Sequence, residues 1–250
     1  MISKIEKTKI GEISRQEGHD FEEALADYLQ ENFNIPFEVL GGNLTKIDIQ
    51  SKNGKLRCSV KNPKNKNTQV ALISQKSFIK SFGITDQKLI HFMACFFGSD
   101  HASAFPRHRM SKSDIPNNLN AKFTVLLNEN KMKLFETLIS RGNYKDRGVN
   151  YLLWANKKNS VEDVIVIDIK KFKEEFKKGN WIQNETTFDY IIDGTKILHL
   201  QMKGSGKKYT SGYHSLMFHL HSEKFTKKEN LIDAEIEFVS SINKMKDICR

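Results

Sequence analysis

The chain has 250 residues, 38% of them hydrophobic and 28% charged, which suits a globular protein with a sizeable core. Lys and Arg number 40 against 30 Asp and Glu, a formal charge of +10 that favours a polyanionic partner, either nucleic acid or an anionic membrane surface. No stretch approaches the roughly 18 apolar residues of a membrane span, residues 1–12 lack the apolar centre of a secretion signal, and Cys58, Cys95 and Cys249 share no metal-binding spacing.

The expectation is a soluble, cytoplasmic chain with reduced cysteines. With no repeat and no Gly-, Ser- or Pro-rich linker, residues 1–250 read as a single domain. Ser14-Arg15-Gln16-Glu17 has the spacing of a capping box and opens a helix predicted to run to Phe33, with Phe21, Leu25, Tyr28, Leu29 and Phe33 on one stripe. Lys46–Gln50 and Leu56–Lys61 alternate apolar and polar residues around Asn53-Gly54, a strong hairpin signal. Lys88–Phe97 is expected as a buried strand, Phe105–Asn120 as a polar loop carrying Arg107-His108-Arg109, and Glu129–Ser140 as a helix. Asn150–Ala155 and Val161–Ile169 are apolar enough for central strands. A second hairpin is expected over Phe188–Lys203 around Asp193-Gly194, and Tyr213–His221 as a further strand. This irregular alternation predicts an α/β fold with a mixed central β-sheet flanked by helices.

A two-residue loop at Asn53-Gly54 would set Lys52 opposite Lys55, Asp48 opposite Ser59 and Lys46 opposite Lys61. Alternation then gathers Asp48, Gln50, Arg57, Ser59 and Lys61 on one face and Ile47, Ile49, Leu56, Cys58 and Val60 on the other. A carboxylate that holds a hard divalent cation, beside a Lys that positions water, is what phosphodiester hydrolysis requires. The same trio also occurs on solvated hairpins with no chemistry. Ser59 stands two residues before Lys61, where a second ligand would serve, but it adds no charge. On a helical wheel of about 100° per residue, Glu22 falls at the edge of the apolar stripe between Leu29 and Phe33, whereas Glu23 points away. Glu22 is therefore the expected second carboxylate, with Glu17, also turned inward, as the substitute.

The order of a Glu-bearing helix, an Asp strand and an x-x-Lys strand resembles the PD-(D/E)XK nuclease superfamily. More closely, Gly41-Gly42-Asn43-Leu44-Thr45-Lys46-Ile47-Asp48 and Ser59-Val60-Lys61-Asn62-Pro63-Lys64-Asn65-Lys66 are similar to the active-site region of MspI-like type II restriction endonucleases. Leu198–Lys208 and Leu216–His219 are similar to the Gln-x-Lys-Gly and DNA-facing segment near the C-terminus of that group. These segments and the Glu22 helix cover about a third of the chain. The departure is Ser59, where the superfamily usually carries Glu or Asp. The resemblance implies a restriction-endonuclease-like fold, Mg²⁺-dependent hydrolysis of double-stranded DNA at a short site, and metal ligation by Asp48, Glu22 and Ser59 beside Lys61.

Gln201, Lys203, Ser205, Lys207, Lys208, Tyr209 and Thr210 are expected to contact DNA, as are Lys64 and Lys66 in the loop after Lys61; amides and ammonium groups suit base edges and phosphates. Gln201-Met202-Lys203 could itself be a catalytic strand served by Asp189 or Asp193. A two-residue turn at Asp193-Gly194, however, pairs Gln201 with Thr186 and Lys203 with Asn184, away from both. Gly204–Gly212 lacks Walker A spacing. His214, His219 and His221 lack the further ligands of a zinc site, and read as structural or DNA-facing. A repair or junction-cutting nuclease of the same superfamily and a non-catalytic nucleic-acid-binding protein are the competing readings. The chain is expected as a monomer or homodimer, without a membrane partner, and residues 85–180 carry no assigned role.

Overall fold

The computed structural model describes residues 4–40, 46–61, 67–97, 117–141, 148–155, 161, 164–184, 187–202, 215–221 and 239–242. The chain divides into two compact units: residues 1–66, 140–172 and 225–250 form the first, residues 67–139 and 173–224 the second.

The first unit opens with helix α1, Lys4–Phe33. Its sheet holds six strands in the order β1 (Phe37–Val39), β2 (Ile49–Ser51), β3 (Arg57–Lys61), β5 (Tyr151–Trp154), β6 (Ile165–Asp168) and β11 (Val239–Ser241). All neighbours are antiparallel except β3 and β5, which run parallel. A parallel pair needs a long crossover, and here the chain between β3 and β5 supplies much of the second unit. Leu25, Leu29 and Phe33 of α1 are buried in one cluster with Ile49, Leu56, Cys58, Val60 and Leu153. The expected stripe and the expected apolar face of the hairpin are thus both present.

The second unit's sheet is antiparallel, in the order β4 (Asn67–Ser74), β10 (Ser215–His221), β9 (Thr195–Met202), β8 (Thr187–Ile192) and β7 (Asn180–Asn184). Its helices include α2 (Gln75–Phe82), α3 (Gln87–Phe97), α4 (Asn117–Glu129) and α5 (Lys131–Phe135), the last continuing into a wider π-helical turn over Glu136–Ser140. Helix α6, Ile169–Lys178, follows β6. The core is aromatic: Phe123 meets Phe188 edge-on at 4.9 Å, and Phe176 stacks on Tyr190. The fold is therefore mixed α/β with two sheets and flanking helices.

Five sequence expectations are corrected. Helix α1 begins ten residues before Ser14, so Ser14 lies inside it rather than at its start; no proline interrupts residues 4–15. Glu17 is exposed rather than inward-facing. Lys88–Phe97 is helical, because Asp86 Oδ1 accepts the amides of Lys88 (2.8 Å) and Leu89 (3.3 Å) and caps it. An apolar run conceals its period, and burial of Leu89, Phe92 and Met93 reveals helical spacing. Asn117–Asn120 opens α4 instead of closing a loop, with Asn120, Phe123 and Leu127 on the buried stripe. Asp168 likewise ends β6 by capping α6, accepting the amides of Lys170 and Lys171, so the strand expected over Val161–Ile169 is shorter.

Candidate active site on the first hairpin

The β2–β3 hairpin keeps the expected register, with Ile49 facing Cys58 and Gln50 facing Arg57. Its turn is longer than two residues. Ser51 and Leu56 close it through the Ser51 amide and the Leu56 carbonyl (2.9 Å), the Gly54 amide returns to the Ser51 carbonyl (2.8 Å), and Gly54 takes φ +69°. A four-residue loop centred on the same pair preserves the register, so the wrong turn type gave the right facing residues. Asn150 anchors this loop from the start of β5: its Oδ1 accepts the Arg57 amide (2.6 Å) and its Nδ2 donates to the Lys55 carbonyl (2.5 Å). Arg57 is also committed, donating to the carbonyls of Gly148 and Gly54.

Beyond Ile49 the ladder gives way. The Asp48 amide donates to the Cys58 carbonyl (2.9 Å), and the Asp48 carboxylate then takes the place of a backbone acceptor. Its Oδ2 accepts the Val60 amide at 2.6 Å and the Ser59 hydroxyl at 3.0 Å. Lys61 Nζ lies 3.6 Å from the same oxygen and donates to the Val60 carbonyl (2.9 Å). Oδ1 of Asp48 carries no hydrogen bond from the described residues. The Asp48 and Lys61 side chains are 20% and 19% exposed, so the pair is reachable yet largely shielded from water.

Glu22 on α1 reaches the same field. It is partly buried and makes no hydrogen bond or ion pair with a described residue. Burial first, and then the Asp48 charge, raise its carboxyl to about 7, against the opposing pull of Lys61 and His19. Lys46, two residues before Asp48, is pushed down to about 7 by burial and then by Lys61, with Asp48 opposing. Asp48, Ser59, Lys61 and Glu22 are thus brought together within the first unit, and sequence reasoning had left Lys46 without a role. Glu23 does point away: it pairs with His19 at 3.2 Å on the exposed side of α1, next to Asp20. His19, Asp20 and Glu23 have donor atoms within 4.8 Å of one another, but all three are exposed.

Lys64, Lys66, Lys203, Ser205, Lys207, Lys208, Tyr209 and Thr210, with Arg107, His108, Arg109 and His214, lie outside the described residues. Gln201 is placed by its backbone, facing Met217 in β10.

The second unit holds a polar cluster that sequence reasoning resolved only as a rejected alternative. Asp189 is 1% exposed. Its Oδ1 meets His199 Nδ1 at 2.7 Å, and its Oδ2 meets Lys196 Nζ at 2.7 Å and Asn184 Nδ2 at 3.0 Å. Burial works against the charge of Asp189, but these three bonds outweigh it and hold the carboxyl well below its usual range. A bulge makes this possible. The β8–β9 register shifts between Tyr190 and Ile191, so Asp189 faces His199 and the expected Gln201–Thr186 pairing moves by one. His219 faces His199 from β10, and burial lowers the His221 imidazole to about 4. Asp189 is consumed by these partners, as a structural anion would be.

No family model matches this chain, and no curated protein matches it. Among solved structures the chain is similar to the restriction endonuclease MspI in complex with its cognate DNA. That match covers 79% of this chain and 77% of the other, at 15% identity and a TM-score of 0.42. No helix is long and apolar enough to cross a membrane, among the described residues.

Proposed function

We propose that the chain is a divalent-metal-dependent endonuclease that hydrolyses double-stranded DNA, of the type II restriction class acting at a short site. The observation that carries this reading is Asp48: one carboxylate oxygen is fixed by Val60 and Ser59, the other has no bond among the described residues, and the Lys61 ammonium stands alongside. The donor set fits a hard cation, since Asp48 offers an open oxygen and Glu22 is a partly buried carboxylate with no hydrogen bond or ion pair to a described residue, whose charge a cation would restore. Asp48 and Glu22 would hold Mg²⁺, with Ser59 fixing Asp48 rather than ligating strongly. The ion supplies charge neutralisation at the scissile phosphate.

Lys61 orients the attacking water toward phosphorus, and its tie to the Val60 carbonyl limits its conformations. The water–phosphorus bond forms as the bond to the leaving alkoxide breaks, and solvent exchanges the two protons. Gln201, Lys203, Ser205, Lys207, Lys208, Tyr209 and Thr210, with Lys64 and Lys66, are proposed to contact the duplex. The chain's +10 charge suits that partner. Digestion of a sequenced plasmid with Mg²⁺, followed by mapping of the ends, tests the reading. Discrete ends at one repeated short sequence support it. Cutting only at branched or damaged DNA would move it to a repair nuclease, and binding without cutting would remove the hydrolase altogether.

A further inference from the structure

Two strands of the second unit bring three imidazoles together. Strand β10 carries His219 and His221, a spacing that puts both on one side of a strand. His199 of β9 stands directly opposite His219 in the antiparallel ladder. The His199 ring centre lies 5.5 Å from that of His221 and 6.4 Å from that of His219. The His-x-His of β10 offers only two ligands by itself, and the neighbouring strand supplies the third.

Two imidazoles bound to one tetrahedral ion, at metal–nitrogen distances of about 2.0–2.1 Å, have ring centres roughly 5 Å apart. His199 and His221 are already near that spacing. His219 closes the remaining gap, about 1 Å, by turning about χ2, whose preferences are broad. Two further features set this cluster apart from histidines packed for shape. Asp189, 1% exposed, meets His199 Nδ1 at 2.7 Å. A metal-binding histidine ordinarily uses its second ring nitrogen in this way, which fixes the tautomer and directs Nε2 to the ion. Asp189 is itself held by Lys196 and Asn184, so it orients His199 and does not ligate. His221 is the other feature: its Nε2 is buried, with no hydrogen-bond partner among the described residues. A buried polar atom without a partner is destabilising, and coordination removes that penalty.

We propose that His199, His219 and His221 form a metal site, drawn wholly from the second unit, for a transition-metal ion of the Zn²⁺ class. Three imidazoles and no carboxylate suit Zn²⁺ or Co²⁺ and discriminate against Mg²⁺, which prefers oxygen. The His199 side chain is 16% exposed, so an ion can enter and keep water in its fourth position. Ligated from both strands, the ion ties β9 to β10. The site does not depend on whether the hairpin hydrolyses DNA.

Co²⁺ titration of the full chain in excess Mg²⁺ reads the site through the visible absorption of tetrahedral Co²⁺. The parent should take up one such ion, displaced on addition of Zn²⁺. His199→Gln and His221→Gln should each abolish the absorption, and Asp189→Asn should weaken the affinity about 10–100-fold. Asp48→Asn and His19→Gln should titrate as the parent does. Zn²⁺ should raise the Tm of the parent but not that of His221→Gln. X-ray absorption of the Zn²⁺-loaded parent serves if the histidine variants misfold, and should show three imidazole nitrogens at about 2.0–2.1 Å. No tetrahedral Co²⁺ in the parent, a spectrum that survives His221→Gln, or a Zn²⁺ shell without three imidazoles would each overturn the site.

Discussion

Replacing Asp48 separates its structural work from its chemistry, because its two oxygens do different things. Oδ2 satisfies the Val60 amide and the Ser59 hydroxyl, at positions 7% and 1% exposed. In Asp48→Ala both donors lose their acceptor. A buried unsatisfied donor costs about 1–3 kcal/mol, so the Ala variant should lose roughly 2–4 kcal/mol, with the rotatable hydroxyl of Ser59 recovering part. Asp48→Asn keeps an amide oxygen for the Val60 amide and should lose about 1 kcal/mol or less. Total stability of a domain is about 5–15 kcal/mol, so both variants fold and can be compared by urea denaturation. Both should lose Mn²⁺ binding, since neither retains the carboxylate charge. Equal stability of the Ala and Asn variants would refute the structural half of the argument. Mn²⁺ binding by Asp48→Asn at the parental level would refute the metal half.

Glu22→Gln should depress nicking far more than Glu23→Gln, since Glu23 is occupied with His19 on the exposed side of α1. The Glu22 carboxyl sits at about 7 against its usual 4.5, so its contribution to folding stability is complete below about pH 4.5 and is lost as pH rises through 7. Mg²⁺ should offset that loss, raising Tm more at pH 8 than at pH 6 in the parent and equally at both in Glu22→Gln. Asp189→Asn should cost about 2 kcal/mol in urea denaturation, less than for a fully buried pair because Lys196 is partly exposed and can rehydrate. Exchanging Lys207 and Lys208 for Ala should weaken binding to all duplexes and make the salt dependence shallower, by about one unit of slope for each phosphate that a lysine no longer neutralises. Unchanged isotherms would take those lysines off the DNA.

The hairpin centre was legible because a period-2 pattern around Asn53-Gly54 fixes both register and facing, and because Ile49, Cys58 and Val60 leave only one way to bury the apolar side. Glu22 was legible from helical phase alone, since the stripe of Leu25, Leu29 and Phe33 sets the wheel. What sequence missed was governed by short caps and irregular pairing. Asp86 and Asp168 turn apolar runs into helix starts through one carboxylate each. The bulge beside Tyr190 shifts a register that a two-residue turn appeared to determine, and with it the partner of Asp189.

The central claim is that Asp48 and Lys61 form one hydrolytic centre. Its most direct test is single-turnover cleavage of supercoiled plasmid in Mg²⁺ by the parent, Asp48→Asn and Lys61→Met, with folding of each checked by thermal denaturation. The account predicts linear product with discrete ends from the parent, and at least a roughly 10²-fold loss in each folded variant. Parental cleavage by either variant would contradict it.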